Sequence, residues 1–133
     1  MENVVKTITS AVATCVTYLF GGWDLALQAL VIVIVLDYLT GIVKGYVTKT
    51  LNSKTGFKGF LVKVCMLAMV VIATIMDSIM GETGLIRTLV IYYLVANEAL
   101  SIIENLGAMD LFVPKILKDR LEQLKEGNKG EKK

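Results

Sequence analysis

Histidine is absent from the 133 residues, and proline occurs once, at Pro114. Without imidazole there is no Ser–His or Cys–His nucleophile pair, no histidine metal ligand and no histidine proton relay. The two cysteines, Cys15 and Cys65, stand in separate apolar segments with neither CxxC nor metal spacing, and read as small buried apolar residues. The chain does not open on a signal-peptide pattern. SKTGFKG at Ser53–Gly59 has lysine and glycine but lacks the GxxxxGK[ST] order of a phosphate loop. Glu98 and Glu104 are six residues apart, about 9 Å along a helix axis, so they form no carboxylate pair for acid–base work. These absences leave no catalytic residue, cofactor or metal ion to assign, and the net charge of +2 marks no nucleic-acid partner.

What remains is 55% hydrophobic and gathered into long runs, as in an integral membrane protein rather than a soluble domain. Leu25–Val43, Phe60–Met80 and Leu85–Leu106 are each near the roughly 20 residues that cross a bilayer as a helix. Val4–Phe20 is apolar but hydroxylated. Val5, Ile8, Val12, Cys15 and Leu19 make one stripe, and Thr7, Ser10, Thr14 and Thr17 another. Its hydroxyls make insertion marginal, which predicts three firm transmembrane helices and a conditional fourth. Gly21-Gly22 breaks this first segment. After Pro114, Leu117, Leu121 and Leu124 share one side of an amphipathic helix. The predicted organisation is an all-α bundle: an N-terminal hydroxyl-rich helix in 1–24, transmembrane bundle over 25–106, amphipathic helix over 107–126 and disordered charged tail over 127–133.

The lysines set the orientation. Lys44, Lys49, Lys54 and Lys58 fall in the predicted loop Lys44–Lys58 without an acid, whereas the links Gly21–Asp24 and Gly81–Gly84 carry only Asp24 and Glu82. The positive-inside rule puts the loop and the C-terminal segment in the cytoplasm and the short links outside. Inside the spans, depth matches Asp37 with Lys63 near the cytoplasmic side, and Asp77 with Arg87 near the outer side. Two readings of these pairs stand open: ion pairs or snorkelling side chains that make insertion tolerable, or contacts that hold a closed state. Gly41 and Gly45 form one GxxxG, a candidate helix contact, although Gly45 also suits a helix end. The third span carries its own polar stripe, Asn97, Glu98, Ser101, Glu104 and Asn105, at helical spacing. A carboxylate at mid-bilayer costs about 2.5–3.5 kcal/mol, so this stripe must face other helices, another copy of the chain, or water.

Three strings carry a resemblance. Asp37-x-x-Thr40-Gly41 lies within LDYLTGIVKG. Ser53, Gly56, Gly59 and Lys63 lie within NSKTGFKGFLVKV. Asn97-Glu98-x-x-Ser101-Ile102-x-Glu104-Asn105 precedes Pro114. In order and spacing the chain resembles the phage-lysis and toxin-secretion holins of Gram-positive systems from Leu25 to Leu124; Met1–Asp24 matches poorly. The resemblance implies a homo-oligomer in the host cytoplasmic membrane that forms timed lesions. An endolysin or toxin would leave through them as a passenger without specific binding. It leaves an antiholin open, although no methionine lies between Met1 and Met66 to start a shorter product. The alternative is a non-lytic scaffold or accessory subunit of a transporter.

Overall fold

The structure is a computed structural model in which residues 1–127 are described. Those residues form five helices and no strand: α1 (Glu2–Phe20), α2 (Leu25–Val47), α3 (Ser53–Met80), α4 (Leu85–Ala108) and α5 (Lys115–Gly127). The first four are long and apolar enough to cross a membrane, one more than the firm set read from the sequence. α1 is the least apolar of the four, but part of its hydroxyl cost is offset. Thr7, Thr9 and Thr14 each donate to the backbone carbonyl four residues back, at 2.8 Å, so these hydroxyls are satisfied within the helix itself.

The helices outrun their apolar cores. α2 continues past Gly45 to Val47, and α3 starts at Ser53 rather than Phe60, because Asn52 caps it by accepting the Lys54 amide at 2.9 Å. The predicted fifteen-residue loop therefore shrinks to Thr48–Asn52, and Lys44, Lys54 and Lys58 stand on helices. α4 extends two residues past Leu106. Gly127, expected in the disordered tail, closes α5; the rest of that predicted tail, 128–133, lies outside the described residues.

α4 is the central helix. It packs most extensively on α2, then on α3 and α5, while α1 packs on α3. Leu27 and Leu30 of α2, Val70 of α3, and Ile91 and Leu94 of α4 make the apolar core. Around this small core the usual distribution is inverted. Ile32, Val35 and Leu39 on α2, and Ile72, Ile75 and Ile79 on α3, face outward, whereas Asp37, Asp77, Arg87, Glu98 and Asn105 are buried. A water-facing surface would favour the opposite placement; lipid favours this one.

Candidate functional site

Three charges meet because the chain places them at one depth. Asp37 is ten residues before the end of α2, Lys63 ten residues after the start of α3, and Glu98 ten residues before the end of α4. At 1.5 Å per residue each lies about 15 Å from the same end of the bundle. Lys63 Nζ donates to Asp37 Oδ2 and to Glu98 Oε2. The Asp37–Lys63 contact expected from depth is present, but it is one arm of a three-residue network. Glu98 is only 1% exposed, and Lys63 is its ion-pair partner.

Asn105 joins from the next two turns of α4. Its Nδ2 donates to Asp37 Oδ1 at 3.1 Å, the Asp37 carbonyl at 3.3 Å and Thr40 Oγ1 at 3.1 Å. Thr40 in turn donates to the Asp37 carbonyl at 3.1 Å. Gly41 faces the same amide: a Cβ there would lie 3.7 Å from Asn105 Nδ2. Residues from three separate strings, Asp37-Thr40-Gly41, Lys63, and Glu98 with Asn105, thus converge on one site. Among the described residues, no buried side-chain nitrogen or oxygen lacks a partner, as a low-dielectric interior requires.

The polar stripe of α4 divides between two neighbours. Glu98 and Asn105, seven residues apart, turn to α2 and α3. Asn97, Ser101 and Glu104 sit about 100° around the helix and line an open cavity of about 460 Å³ against Glu122, Lys125 and Glu126 of α5. α5 runs back along α4, since its Lys118 lies beside Glu104 and Gly107 while Lys125 and Glu126 reach Asn97. Glu104 is exposed and Ser101 half-buried. Gly45 does not contact a helix: a Cβ there would lie 3.2 Å from Leu51 Cδ1 in the α2–α3 connection.

At the opposite end the expected Asp77–Arg87 side-chain pair does not form. Asp77 instead accepts the backbone amides of Ile86 at 2.9 Å and Arg87 at 2.8 Å. Its carboxylate caps the start of α4, where the N-cap Gly84 has no side chain to do so. The Arg87 guanidinium goes elsewhere. It bonds Asp24 in a fork at 2.8 and 3.0 Å, the Gly22 carbonyl at 3.1 Å and the Phe20 carbonyl. Gly21 makes room: its φ is +78° and a Cβ there would lie 2.8 Å from Arg87 Nε. The hydrogen bonds from Arg87 hold the Asp24 carboxyl down to about 2, against an ordinary 3.8. Sequence reading missed Asp24 as a partner; the signal was the Gly21-Gly22 break beside it.

Similarity to known proteins runs along nearly the whole chain, and it includes most of the Met1–Asp24 stretch expected to match poorly. The bacteriophage holin family matches residues 14–126, a range that holds every member of the buried network. An uncharacterized 14.9 kDa protein of the nagH 3' region in Clostridium perfringens is 38% identical over 128 residues, 93% of this chain and 97% of that one. An uncharacterized protein of Halalkalibacterium halodurans is 38% identical over 131 residues, 94% of this chain and 96% of that one. The probable holin of Bacillus phage phi105 is 31% identical over 111 residues, 84% of this chain and 82% of the phage protein. No solved structure matches. A bundle of membrane-length helices with its charges turned inward, matched over this range and by a phage relative, belongs to the bacteriophage holin family.

Proposed function

We propose that copies of this chain gather in the cytoplasmic membrane and, at a set time, open lesions through which a cell-wall hydrolase or a signal-less toxin escapes. The observation that carries this reading is the partnering of α4. Glu98 and Asn105 are held by Lys63 and Asp37 within one chain, while Asn97, Ser101 and Glu104 border an open cavity. A bare carboxylate in lipid costs about 2.5–3.5 kcal/mol, so Glu98 has two acceptable surroundings: its intrachain partner, or water. Exchange of one for the other among clustered copies is a two-state element, with accumulation in the closed state and a lesion in the wetted one. The lysine-rich end of α2 and α3 faces the cytoplasm with the C-terminal segment, and Glu82 faces outside. The passenger needs no docking site, and an antiholin would act by holding the closed state.

Induced expression of Glu98→Gln tests this. The substitution keeps shape and leaves Lys63 balanced by Asp37, so insertion and accumulation should match the parent. It removes a charge-assisted hydrogen bond of about 1.5–3 kcal/mol, so lysis onset should shift strongly. Tyr92→Phe, on an exposed position of α4, should shift it little. Equal protein levels with unchanged timing in Glu98→Gln would defeat the switch. A non-lytic scaffold or transporter subunit predicts growth without abrupt loss of membrane potential.

A further inference from the structure

α2 and α3 each pack on α4 more than on one another. A crevice of about 670 Å³ opens between them on the side of Val47 and Ser53. Its floor is the buried network: Asp37, Lys63 and Asn105 line it. Apart from the hydroxyls of Tyr38, Thr50, Thr55 and Ser101 and the Asn52 amide, its walls are apolar or bare. Ile42 and Val62, both exposed on the outer surface of the bundle, flank it, and Gly41, Gly56 and Gly59 hold no side chain in it. Lys44 and Lys58 stand at its mouth. Lys44 is three residues from the end of α2 and Lys58 five residues into α3, so they sit about 4.5 and 7.5 Å from the helix ends. That is one common level, at the polar border of a bilayer.

The donors there are free. Among the described residues the side chains of Lys44, Lys58 and Tyr38 have no hydrogen-bond or ion-pair partner. The Tyr38 hydroxyl lies in the crevice opposite Gly56, where a Cβ would come 3.8 Å from it. We propose that this crevice binds one anionic phospholipid, its headgroup phosphate between Lys44 and Lys58 and its glycerol and upper acyl chain against Ile42 and Val62. The charge pattern selects the depth. Lys63 faces two carboxylates, so the floor carries excess negative charge and keeps the phosphate at the mouth. A free phosphate would leave the apolar walls uncovered, and a helix from a second copy would leave both ammonium groups without a counter-charge. Basic pockets between spans on the cytoplasmic side suit such headgroups. The inference rests on the membrane orientation proposed above and is independent of lesion formation.

The test uses the full chain in nanodiscs of phosphatidylcholine with phosphatidylglycerol, extracted gently and weighed intact by native mass spectrometry. The parent should retain phosphatidylglycerol over phosphatidylcholine. Lys44→Gln/Lys58→Gln should lower that retention about thirtyfold, since two lysines near the surface contribute about 1 kcal/mol each. Lys54→Gln removes a lysine outside the crevice and should leave it unchanged. Gly56→Leu fills the crevice without altering charge and should lower retention as well. Retention that follows total charge alone, or that survives Gly56→Leu, overturns the site. So does a Lys44–Lys58 crosslink between copies that forms equally in lipid without phosphatidylglycerol.

Discussion

Lys63 is the single cation of a site with two carboxylates, and that count predicts how its variants behave. Lys63→Met strands Asp37 and Glu98 together, so it should reduce accumulation most, by the 3–5 kcal/mol typical of an orphaned buried charge. Asp37→Asn leaves Lys63 balanced by Glu98 and should be mild. Adding Asp37→Asn to Lys63→Met removes one of the stranded charges and should restore part of the loss. Immunoblots of membrane fractions through a double-mutant cycle measure this; additive effects would show that the two residues do not interact. Asp37 and Lys63 were legible as a pair because their distances from the helix ends match. Glu98 was legible as a buried charge, but its partner was not. Nothing in a one-dimensional pattern says that α4 turns Glu98 toward α3 rather than toward another copy.

Among the elements, α1 is held least. None of its residues is buried, and its end is fastened by the Arg87 guanidinium on Phe20, Gly22 and Asp24. Trp23, the only tryptophan, reports on this corner. Asp24 has a lowered pKa, so its contribution is present above the unfolded value of 3.8 and is lost as pH falls toward about 2. Trp23 emission of the purified protein should therefore hold steady from neutral pH to about 3.8 and change between there and about 2. A transition near pH 6 would contradict the assignment. Arg87→Gln should shift the emission already at neutral pH, and Arg87→Lys should not restore it, because an ammonium cannot reproduce the fork. This latch was not legible. Arg87 is 63 residues from Asp24, whereas Asp77 is a nearer and formally suitable partner. The α4 amides claim Asp77 because a glycine N-cap leaves them unsatisfied.

At the scale of the whole molecule, the inverted distribution of polarity marks the environment as lipid, and the lysine asymmetry carries the orientation proposed above. Cys15 and Cys65, expected to be buried, are unpaired and exposed on the outer faces of α1 and α3. In a background free of both, Thr83→Cys should react with an impermeant thiol reagent on intact cells and Ser53→Cys should not. Labelling of Ser53→Cys alone would reverse the topology. Ion-pair depth bears on the same frame. α3 is 28 residues, about 42 Å, against a hydrocarbon core of about 30 Å, so its lysine-bearing start projects beyond the apolar region. Lys63, about 15 Å from that start, still falls inside the apolar region, and Glu98 shares its depth.

Composition and periodicity determined the class, the helical order and the residues that needed partners. A charge in an apolar run and a polar stripe at helical spacing are local facts with a fixed energetic meaning. Only the tertiary structure decided which partners they took. The three ten-residue offsets align Asp37, Lys63 and Glu98 only once the helices are antiparallel and their true ends are known. Those ends depend on Asn52 capping α3 and on α2 running past Gly45. The division of the α4 stripe between the α2–α3 side and α5 likewise arises from packing. Adjacent helical residues differ by about 100°, enough to send Glu98 into the core while Asn97 stays on the cavity wall.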